Sequence, residues 1–237
     1  MRARRSLLAV ASAIAVGLGV HGAAAQITEL RVLYVGNSLT ATNDLPAVVA
    51  SLARSSGRRV DYRTIAFGGY SLEDHWYQGD ARAALASGRW DVVVMQQGPS
   101  ALPEGQAHLR EWATRFADEA RANGTRPALL TVWPESYRGN VAMTQVISSY
   151  KQAAAAALAI LLPAGAAWRE AWGCDARIPF YGPDGFHPSR LGTYTAALVA
   201  YGRLFNAPVV KAKTRRTRIV QKAAALALGR PVHRPCR

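Results

Sequence analysis

Short segments of almost continuous apolar residues, separated by longer stretches of helical character, most constrain the fold of this chain. Strands that are apolar on both faces are usually buried on both, as in a parallel sheet covered by helices. The segments expected to form strands are residues 30–35, 60–67, 91–95 and 128–132. The segments expected to form helices are residues 45–56, 79–86, 103–123, 141–161 and 190–205. This alternation predicts an α/β fold, a three-layer α/β/α sandwich with a central, mostly parallel sheet.

The start of the chain has the composition of an export signal. Three arginines lie within the first five residues, residues 7–20 are apolar, and residues 23–25 are alanines suited to cleavage. The apolar run is short for a membrane span, and an uncleaved anchor is the alternative. We therefore expect residues 1–25 to be a signal peptide and the mature protein to be exported, to the periplasm or the extracellular space.

The positive charge of the chain is unevenly distributed. Of the formal net charge of +14, three positive charges lie in residues 1–25 and nine in residues 211–237, which leaves +2 for residues 26–210. We therefore divide the chain after the signal into a nearly neutral domain, residues 26–210, and a basic C-terminal tail, residues 211–237. Because attraction to phosphate carries no sequence information, we expect no specific nucleic-acid recognition, and an anionic envelope polymer is the candidate partner of the tail.

The two cysteines, Cys174 and Cys236, leave two interpretations open. An oxidising compartment would permit a disulfide between them. Two unpaired thiols are the alternative, because Cys236 lies one residue from the end of a tail expected to be mobile. Their spacing from each other and from His187 or His233 matches no zinc-binding pattern, so we expect no metal site.

A serine follows the first expected strand, in the segment Gly36-Asn37-Ser38-Leu39. At the carboxyl edge of an open parallel sheet, where ligands bind in such folds, Ser38 can present its hydroxyl and its backbone amide to a substrate. A serine hydroxyl acts as a nucleophile when a neighbouring base removes its proton. Because Gly-Asn-Ser is also an ordinary turn sequence, the interpretation depends on partners elsewhere in the chain.

The partners that a nucleophilic serine requires occur together in the segment Asp184-Gly185-Phe186-His187. The imidazole of His187 can act as the base. Asp184, three residues earlier, can fold back within one turn to hold the imidazole in one tautomer and to stabilise its protonated form. Gly185 permits the bend between them.

These two segments resemble the first and last blocks of the SGNH, or GDSL-type, hydrolases. In that family a nucleophilic serine near the amino terminus is followed, near the carboxyl terminus, by Asp-x-x-His, and the order here is the same. Asn37 stands where the commoner version has aspartate. The resemblance covers roughly residues 30–205. It implies a flavodoxin-like fold with Ser38, Asp184 and His187 as the catalytic triad.

The second block of the family is resembled by the segment Phe67-Gly68-Gly69-Tyr70. In the family a glycine amide of this block donates a hydrogen bond to the oxyanion. The resemblance implies that Gly69 is the donor, with Gly68 as the alternative. The backbone amide of Ser38 is expected to be a further donor in the oxyanion hole.

The third block departs from the family pattern Gly-x-Asn-Asp, because residues 96–100 read Gln-Gln-Gly-Pro-Ser. Gln97 and Ser100 are both candidates to replace the missing asparagine as an oxyanion donor. Gln97 is favoured because it has the longer reach and an amide donor.

Aromatic residues are expected around the site. The subset of the family with Gly-Asn-Ser in the first block also tends to carry the run His75-Trp76. The residues expected to line the substrate pocket each follow a strand at the expected catalytic edge: Tyr70, His75, Trp76, Trp133 and Glu135. Aromatic side chains of this kind often pack against sugars, and filling of the core is the alternative.

The resemblance implies a serine esterase that works by two-step acyl transfer to water, with neither a metal nor a cofactor. The expected substrate is a small ester, such as an acetyl ester on a carbohydrate, because the chain carries an export signal and resembles acetylesterases. Two alternatives remain: an acyltransferase to sugar hydroxyls, and an envelope-binding protein with little catalysis. The sequence does not indicate an oligomeric state.

Overall fold

The chain folds around a five-stranded parallel sheet, seen in a computed structural model that describes residues 27–208, 212 and 214–232. The strands are β1 (Glu29–Gly36), β2 (Arg59–Ala66), β3 (Val92–Met95), β4 (Arg126–Leu130) and β5 (Ile160–Leu162). Their order across the sheet is β2-β1-β3-β4-β5, and each neighbouring pair is parallel. The expected signal peptide, residues 1–25, lies outside the described residues and stays a prediction.

Helices cover both faces of the sheet, which confirms the predicted α/β/α sandwich. In chain order they are α1 (Ser38–Ala41), α2 (Leu45–Arg54), α3 (Leu72–Gln78), α4 (Asp80–Ala86), α5 (Pro103–Ala122), α6 (Gly139–Ala156), α7 (Ala164–Cys174), α8 (Arg190–Leu204) and α9 (Arg215–Ala227). Helices α2, α7 and α9 each contact α8, whereas α3, α4 and α6 each contact α5. All four residues of β3 are buried, because this central strand has helices on both sides.

The carboxyl end of β1 lies where the chain changes direction across the sheet. The connection from β1 leads to β2 on one side, and the connection from β2 leads back past β1 to β3 on the other. In doubly wound folds ligands bind in the crevice that such a change of direction leaves. The topology therefore places the residues that follow β1 at the entrance of this crevice.

The fifth strand is a difference from the sequence expectation. We predicted one helix over residues 141–161, but α6 ends at Ala156 and residues 160–162 form the edge strand β5. The helix ends because Leu158 adopts a left-handed backbone conformation, with φ of 48°. A run of alanines contains no glycine or proline that would announce this end, so the sequence pattern continued through it.

The described part of the basic tail also differs from the expectation of a mobile segment. Residues 215–227 form α9, which packs against α7 and α8 and buries Val220, Ala223 and Ala224. The guanidinium of Arg230 donates to the main-chain oxygens of Gly202 and Ala207. The change of composition after residue 210 therefore does not mark the end of the packed structure.

Two further features bear on the sequence expectations. Cys174, at the end of α7, is not a free thiol. Its proposed pairing with Cys236 involves a residue outside the described part of the chain and stays a prediction. No helix in the described ranges combines the length and the apolar composition needed to cross a bilayer.

Candidate active site

Ser38 is the first residue of the short helix α1, which begins directly after β1. The turn forms because the side-chain oxygen of Asn37 accepts a hydrogen bond from the Leu39 amide at 3.1 Å and so caps the helix. Gly36 is required at the end of β1, because a β-carbon there would lie 2.6 Å from Gln96 Oε1 and 2.7 Å from Thr40 Oγ1. These local constraints present the Ser38 side chain at the edge of the sheet.

Gln96, at the end of β3, holds the turn that carries Ser38. Its Oε1 accepts from the Asn37 amide at 3.0 Å and from Thr40 Oγ1 at 2.7 Å, and its Nε2 donates to Asn37 Oδ1 at 2.9 Å. The side chain is 1% exposed, so these bonds are shielded from water. Sequence reasoning missed this residue and considered only its neighbour Gln97; the signal available was a polar residue directly after a fully apolar strand.

The structure brings Asp184, His187 and Ser38 into one hydrogen-bonded chain. His187 Nε2 lies 2.8 Å from Ser38 Oγ, and His187 Nδ1 lies 2.5 Å from Asp184 Oδ2. The other carboxylate oxygen, Oδ1, accepts from the amides of Phe186 and His187, both at 3.0 Å. Residues almost 150 positions apart in the sequence therefore meet with the geometry of a nucleophile, a base and an orienting carboxylate.

The charge on Asp184 determines the tautomer of His187. Its hydrogen bond from His187, followed by that from the Phe186 amide, lowers the pKa of Asp184 to about 2, so the carboxylate is ionised at neutral pH. An ionised carboxylate can only accept hydrogen bonds, and His187 Nδ1 must therefore carry a proton. In the neutral ring Nε2 is then unprotonated and is able to accept the proton of Ser38.

The loop that carries His187 is held by a hydrogen bond within itself and by two from other parts of the fold. The Gly182 amide donates to the His187 oxygen at 2.7 Å, and Asn43 Nδ2 donates to the Pro188 oxygen at 2.9 Å. Trp133 Nε1 donates to the Phe186 oxygen at 3.0 Å. These bonds fix the backbone on both sides of the imidazole, so the ring position does not depend on a bound substrate.

The turn of the second block provides free backbone donors. The Tyr70 amide donates to the Phe67 oxygen at 3.2 Å, and Gly69 has a positive φ of 77°, which suits glycine. Asn37 Nδ2 donates to the Tyr70 oxygen at 3.0 Å and so joins this turn to that of Ser38. The backbone amides of Ser38, Gly68 and Gly69 have no acceptor among the described residues, so each is available to a ligand.

The side chains of the third block form hydrogen bonds within the fold, whereas an oxyanion donor is expected to be free to bind the substrate. Gln97 Nε2 donates to Ser100 Oγ at 3.0 Å and lies 3.4 Å from His108 Nδ1, while Gln97 Oε1 accepts from the Leu72 amide at 3.2 Å. Ser100 Oγ in turn donates to the Gly98 oxygen at 3.1 Å. Both amide hydrogens of Gln97 and the hydroxyl hydrogen of Ser100 are thus already used inside the fold.

Three of the residues expected in the pocket are packing residues. His75 is fully buried, its Nε2 lies 2.6 Å from the Gly36 oxygen, and burial lowers its pKa, which favours the neutral ring. Trp76 packs against the rings of Trp112 and Phe116. Trp133 is 2% exposed and stacks on Trp168 at a centroid distance of 3.6 Å. The sequence pattern did not distinguish lining from supporting aromatic residues.

The other two expected pocket residues remain accessible. Tyr70 is half-buried, with its ring centroid 5.1 Å from that of the exposed Phe67. Glu135 is half-buried and forms an ion pair with Arg138 at 3.0 Å. Glu135 also lines a cavity of about 290 Å³ together with Ser100.

Two further cavities have different relations to the triad. One of about 630 Å³ is lined by Asp184 and His187. A cavity of about 760 Å³ is lined by Ser136, Trp172 and Tyr181 and by none of the three triad residues. We assign substrate binding to the cavity next to Asp184 and His187 and not to the larger one, because an ester must reach the triad to react. Among the described residues no group of three or more metal-ligating side chains comes together.

Comparison with known proteins identifies the family. No family model and no curated protein matches the chain. A solved structure from Slackia heliotrinireducens, assigned to the SGNH hydrolases, is 30% identical, covers 74% of this chain and 99% of its own, and has a TM-score of 0.64. The lipase/acylhydrolase from Enterococcus faecalis is 15% identical over 78% of this chain and 100% of its own, with a TM-score of 0.60.

A third solved structure shares the fold at low identity. An acetyl xylan esterase from Geobacillus stearothermophilus is 16% identical, covers 77% of this chain and 97% of its own, and has a TM-score of 0.59. The relative at 30% identity, matched over nearly its whole length, carries the assignment, and the two more distant structures agree with it in fold. The chain therefore belongs to the SGNH hydrolases.

Proposed function

We propose that the chain hydrolyses small acyl esters with Ser38 as the nucleophile, His187 as the general base and Asp184 as the residue that orients the imidazole. The single observation that carries this proposal is the hydrogen-bonded chain from Ser38 Oγ to His187 Nε2 at 2.8 Å and from His187 Nδ1 to Asp184 Oδ2 at 2.5 Å. The arrangement needs no conformational change before the proton transfer begins.

The reaction proceeds in two steps. His187 Nε2 takes the proton of Ser38 while Oγ attacks the carbonyl carbon of the ester. The free amides of Ser38 and Gly69 donate hydrogen bonds to the carbonyl oxygen and stabilise the negative charge that develops on it. The protonated imidazole then gives its proton to the departing alcohol, which leaves an acyl group on Ser38. In the second step the neutral imidazole removes a proton from water, and the resulting attack releases the acid and restores Ser38.

The proposed substrate is an acetyl ester on a carbohydrate. The side chains of His187 and Asp184 are 35% and 50% exposed, which supports access by a bulky alcohol part. Exposed aromatic rings suited to sugar faces follow two strands at the same edge of the sheet, Phe67 after β2 and Tyr137 after β4. Among the related solved structures, one protein is an acetyl xylan esterase.

The test of the activity is hydrolysis of 4-nitrophenyl acetate by the purified protein and by Ser38→Ala. Loss of the nucleophile should lower kcat by about 10³-fold or more. Ser148→Ala, an exposed serine on α6, is the matched control and should retain the wild-type rate. Equal rates in wild type and Ser38→Ala would disprove the proposal. Acetylated xylan with an added sugar acceptor then separates release of acetate from transfer to the sugar.

We further propose that the protein is exported and that its basic C-terminal segment binds an anionic envelope polymer. The composition of residues 1–25 and the nine basic residues of 211–237 support this proposal. Because α9 is packed on the domain, the test replaces its exposed charges, Arg216 and Arg218, by glutamine and leaves the helix intact. The double variant should be released from the envelope fraction at lower salt than wild type, with unchanged turnover; equal release would contradict the proposal.

A further inference from the structure

A second histidine, His108 on α5, joins the third block to an acidic residue outside the triad. His108 Nε2 lies 2.9 Å from Glu73 Oε2, and His108 Nδ1 lies 3.4 Å from Gln97 Nε2. The His108 and Glu73 side chains are 33% and 42% exposed, so solvent protons can reach them. The triad mechanism uses none of these three side chains.

The hydrogen-bond pattern fixes the tautomer of His108. Gln97 Oε1 faces the Leu72 amide at 3.2 Å, and a backbone N–H can only donate, so the oxygen of the Gln97 side chain must lie on this side. The NH₂ group of Gln97 therefore faces Ser100 and His108. Because the NH₂ group can only donate, His108 Nδ1 must be unprotonated, and its Nε2 carries the hydrogen that points to Glu73.

Gln97 connects this pair to the turn that supplies the oxyanion donor. Leu72 opens α3, three residues after Gly69, and its amide is held by Gln97. The same turn is held at Tyr70 by Asn37 Nδ2 at 3.0 Å. The Gly69 amide is thus positioned from two directions, by the end of β1 through Asn37 and by the end of β3 through Gln97.

We propose that neutral His108 is a positioning residue that holds the Gln97 amide, and through it the Gly69 turn, in the arrangement that binds the oxyanion. Protonation of His108 places an N–H against the NH₂ group of Gln97. The amide must then rotate or withdraw, and in either case Leu72 loses its acceptor. A proton on His108 Nδ1 therefore weakens binding of the oxyanion by the Gly69 turn. The inference rests on the proposed esterase function.

The charged groups around His108 come from two elements. Glu73 and Asp74 on α3 face the ring, and Asp74 interacts electrostatically with it. On α5 itself, Glu104 and Glu111 lie about one helical turn on either side. The groups that β3 and its following loop present, Gln97 and Ser100, are uncharged. His108 therefore lies among carboxylates, and the NH₂ group of Gln97 is the donor that faces its Nδ1.

The kinetic test compares His108→Leu with His108→Asn in ester hydrolysis from about pH 5 to about pH 9, where histidine titrates. Leucine removes the acceptor and should lower kcat by about fivefold to tenfold at the alkaline end, with little change in KM, as expected for one hydrogen bond. Asparagine places an oxygen near the position of Nδ1 that does not titrate in this range. It should restore kcat and lessen the loss of kcat as the pH falls.

The control is Asp118→Asn, which removes a charge from the same helix ten residues from His108, where Asp118 pairs with Arg121, and should keep the wild-type kcat. Wild-type kcat in His108→Leu, or an acid profile of His108→Asn equal to that of the wild type, would overturn the proposal. Melting temperatures equal to the wild type would show that the variants are folded.

A measurement without substrate separates this proposal from the esterase function. Nitrogen-15 NMR of wild type should show His108 in the Nε2–H tautomer, and the Leu72 amide signal should shift with the titration of His108. A Leu72 signal that does not respond would overturn the inference, whether or not the protein hydrolyses esters. Conversely, equal ester turnover by Ser38→Ala and wild type would disprove the esterase function, while the NMR result would still decide the link between His108 and Leu72.

Discussion

Replacing Asp184 by asparagine should inactivate the enzyme without unfolding it, and the hydrogen bonds of the carboxylate show why. Oδ1 accepts from the amides of Phe186 and His187 at 3.0 Å each, and Oδ2 accepts from His187 Nδ1 at 2.5 Å. Asparagine has only one oxygen. Facing the backbone, that oxygen keeps two bonds, and facing the ring it keeps one, so the first orientation is favoured by about 1 kcal/mol or more.

In the favoured orientation the asparagine NH₂ group faces His187. Nδ1 must then accept a hydrogen bond, the ring proton moves to Nε2, and Nε2 donates to Ser38 instead of accepting its proton. The variant also lacks the negative charge that stabilises the protonated imidazole. Together these losses should lower kcat by about 10⁴-fold. The two retained backbone bonds keep the variant folded, with a modestly lower melting temperature because the ionised carboxylate is lost.

The pKa of Asp184 also determines how the stability that its ionised carboxylate gives to the fold depends on pH. The folded value of about 2 lies below the unfolded value of about 3.9, so the ionised carboxylate favours the folded state. This contribution is complete above the unfolded value and is lost as the pH falls through about 2. A loss of activity between neutral and mildly acid pH therefore does not report protonation of Asp184.

The assay is steady-state hydrolysis of 4-nitrophenyl acetate, with melting temperature as the measure of folding. Asp118→Asn is the matched control, because Asp118 is an exposed aspartate on α5 that pairs with Arg121 at 2.6 Å, outside the site. It should keep the wild-type kcat. A folded Asp184→Asn that loses less than about tenfold in kcat would refute the reasoning, because an imidazole in the wrong tautomer cannot serve as the base.

Three other substitutions test the supports of the site and of α9. Gly36→Ala introduces a methyl group 2.6 Å from Gln96 Oε1 and should lower the free energy of unfolding, measured by urea titration, by about 1–3 kcal/mol. An unchanged free energy of unfolding would contradict this close packing. Asn37→Asp replaces the donor to the Tyr70 oxygen by an acceptor and should lower kcat by about tenfold with KM unchanged, whereas wild-type kinetics would show that this bond is not needed. Arg230→Ala removes donors to two main-chain oxygens and should lower the free energy of unfolding by about 2 kcal/mol, with the exposed Arg216→Ala as the control that should not.

The sequence predicted the sheet because β1, β3 and β4 are mainly apolar segments with polar or glycine residues at their ends. The edge strand β2 was also predicted, although Asp61, Arg63 and Thr64 within it are exposed. The prediction failed at residues 157–162, where the alanines of α6 continue into a three-residue edge strand without a breaker. It also failed at α9, where arginines alternate with a narrow apolar face. Only the packing against α7 and α8 shows that the segment Arg215–Ala227 is a helix of the folded domain.

The distinction between lining and supporting residues in the site could not be predicted from the sequence. Ser38, Asp184 and His187 lie in short segments whose chemistry is local, and these three do meet. Gln96 and Gln97 are adjacent in the sequence, but successive residues of an extended chain point to opposite faces of the sheet, and each joins a different network. Such networks depend on partners far along the chain, which no local pattern contains.

Asn43 connects the segment that carries Ser38 directly to the segment that carries His187. Its Nδ2 donates to the Pro188 oxygen at 2.9 Å and to Thr193 Oγ1 at 3.0 Å, so the segment after the nucleophile is tied directly to the segment after the base. This bridge does not pass through the edge strand β5. Local fraying of β5 on warming should therefore leave the reacting atoms in place, and turnover should persist until the rest of the domain melts.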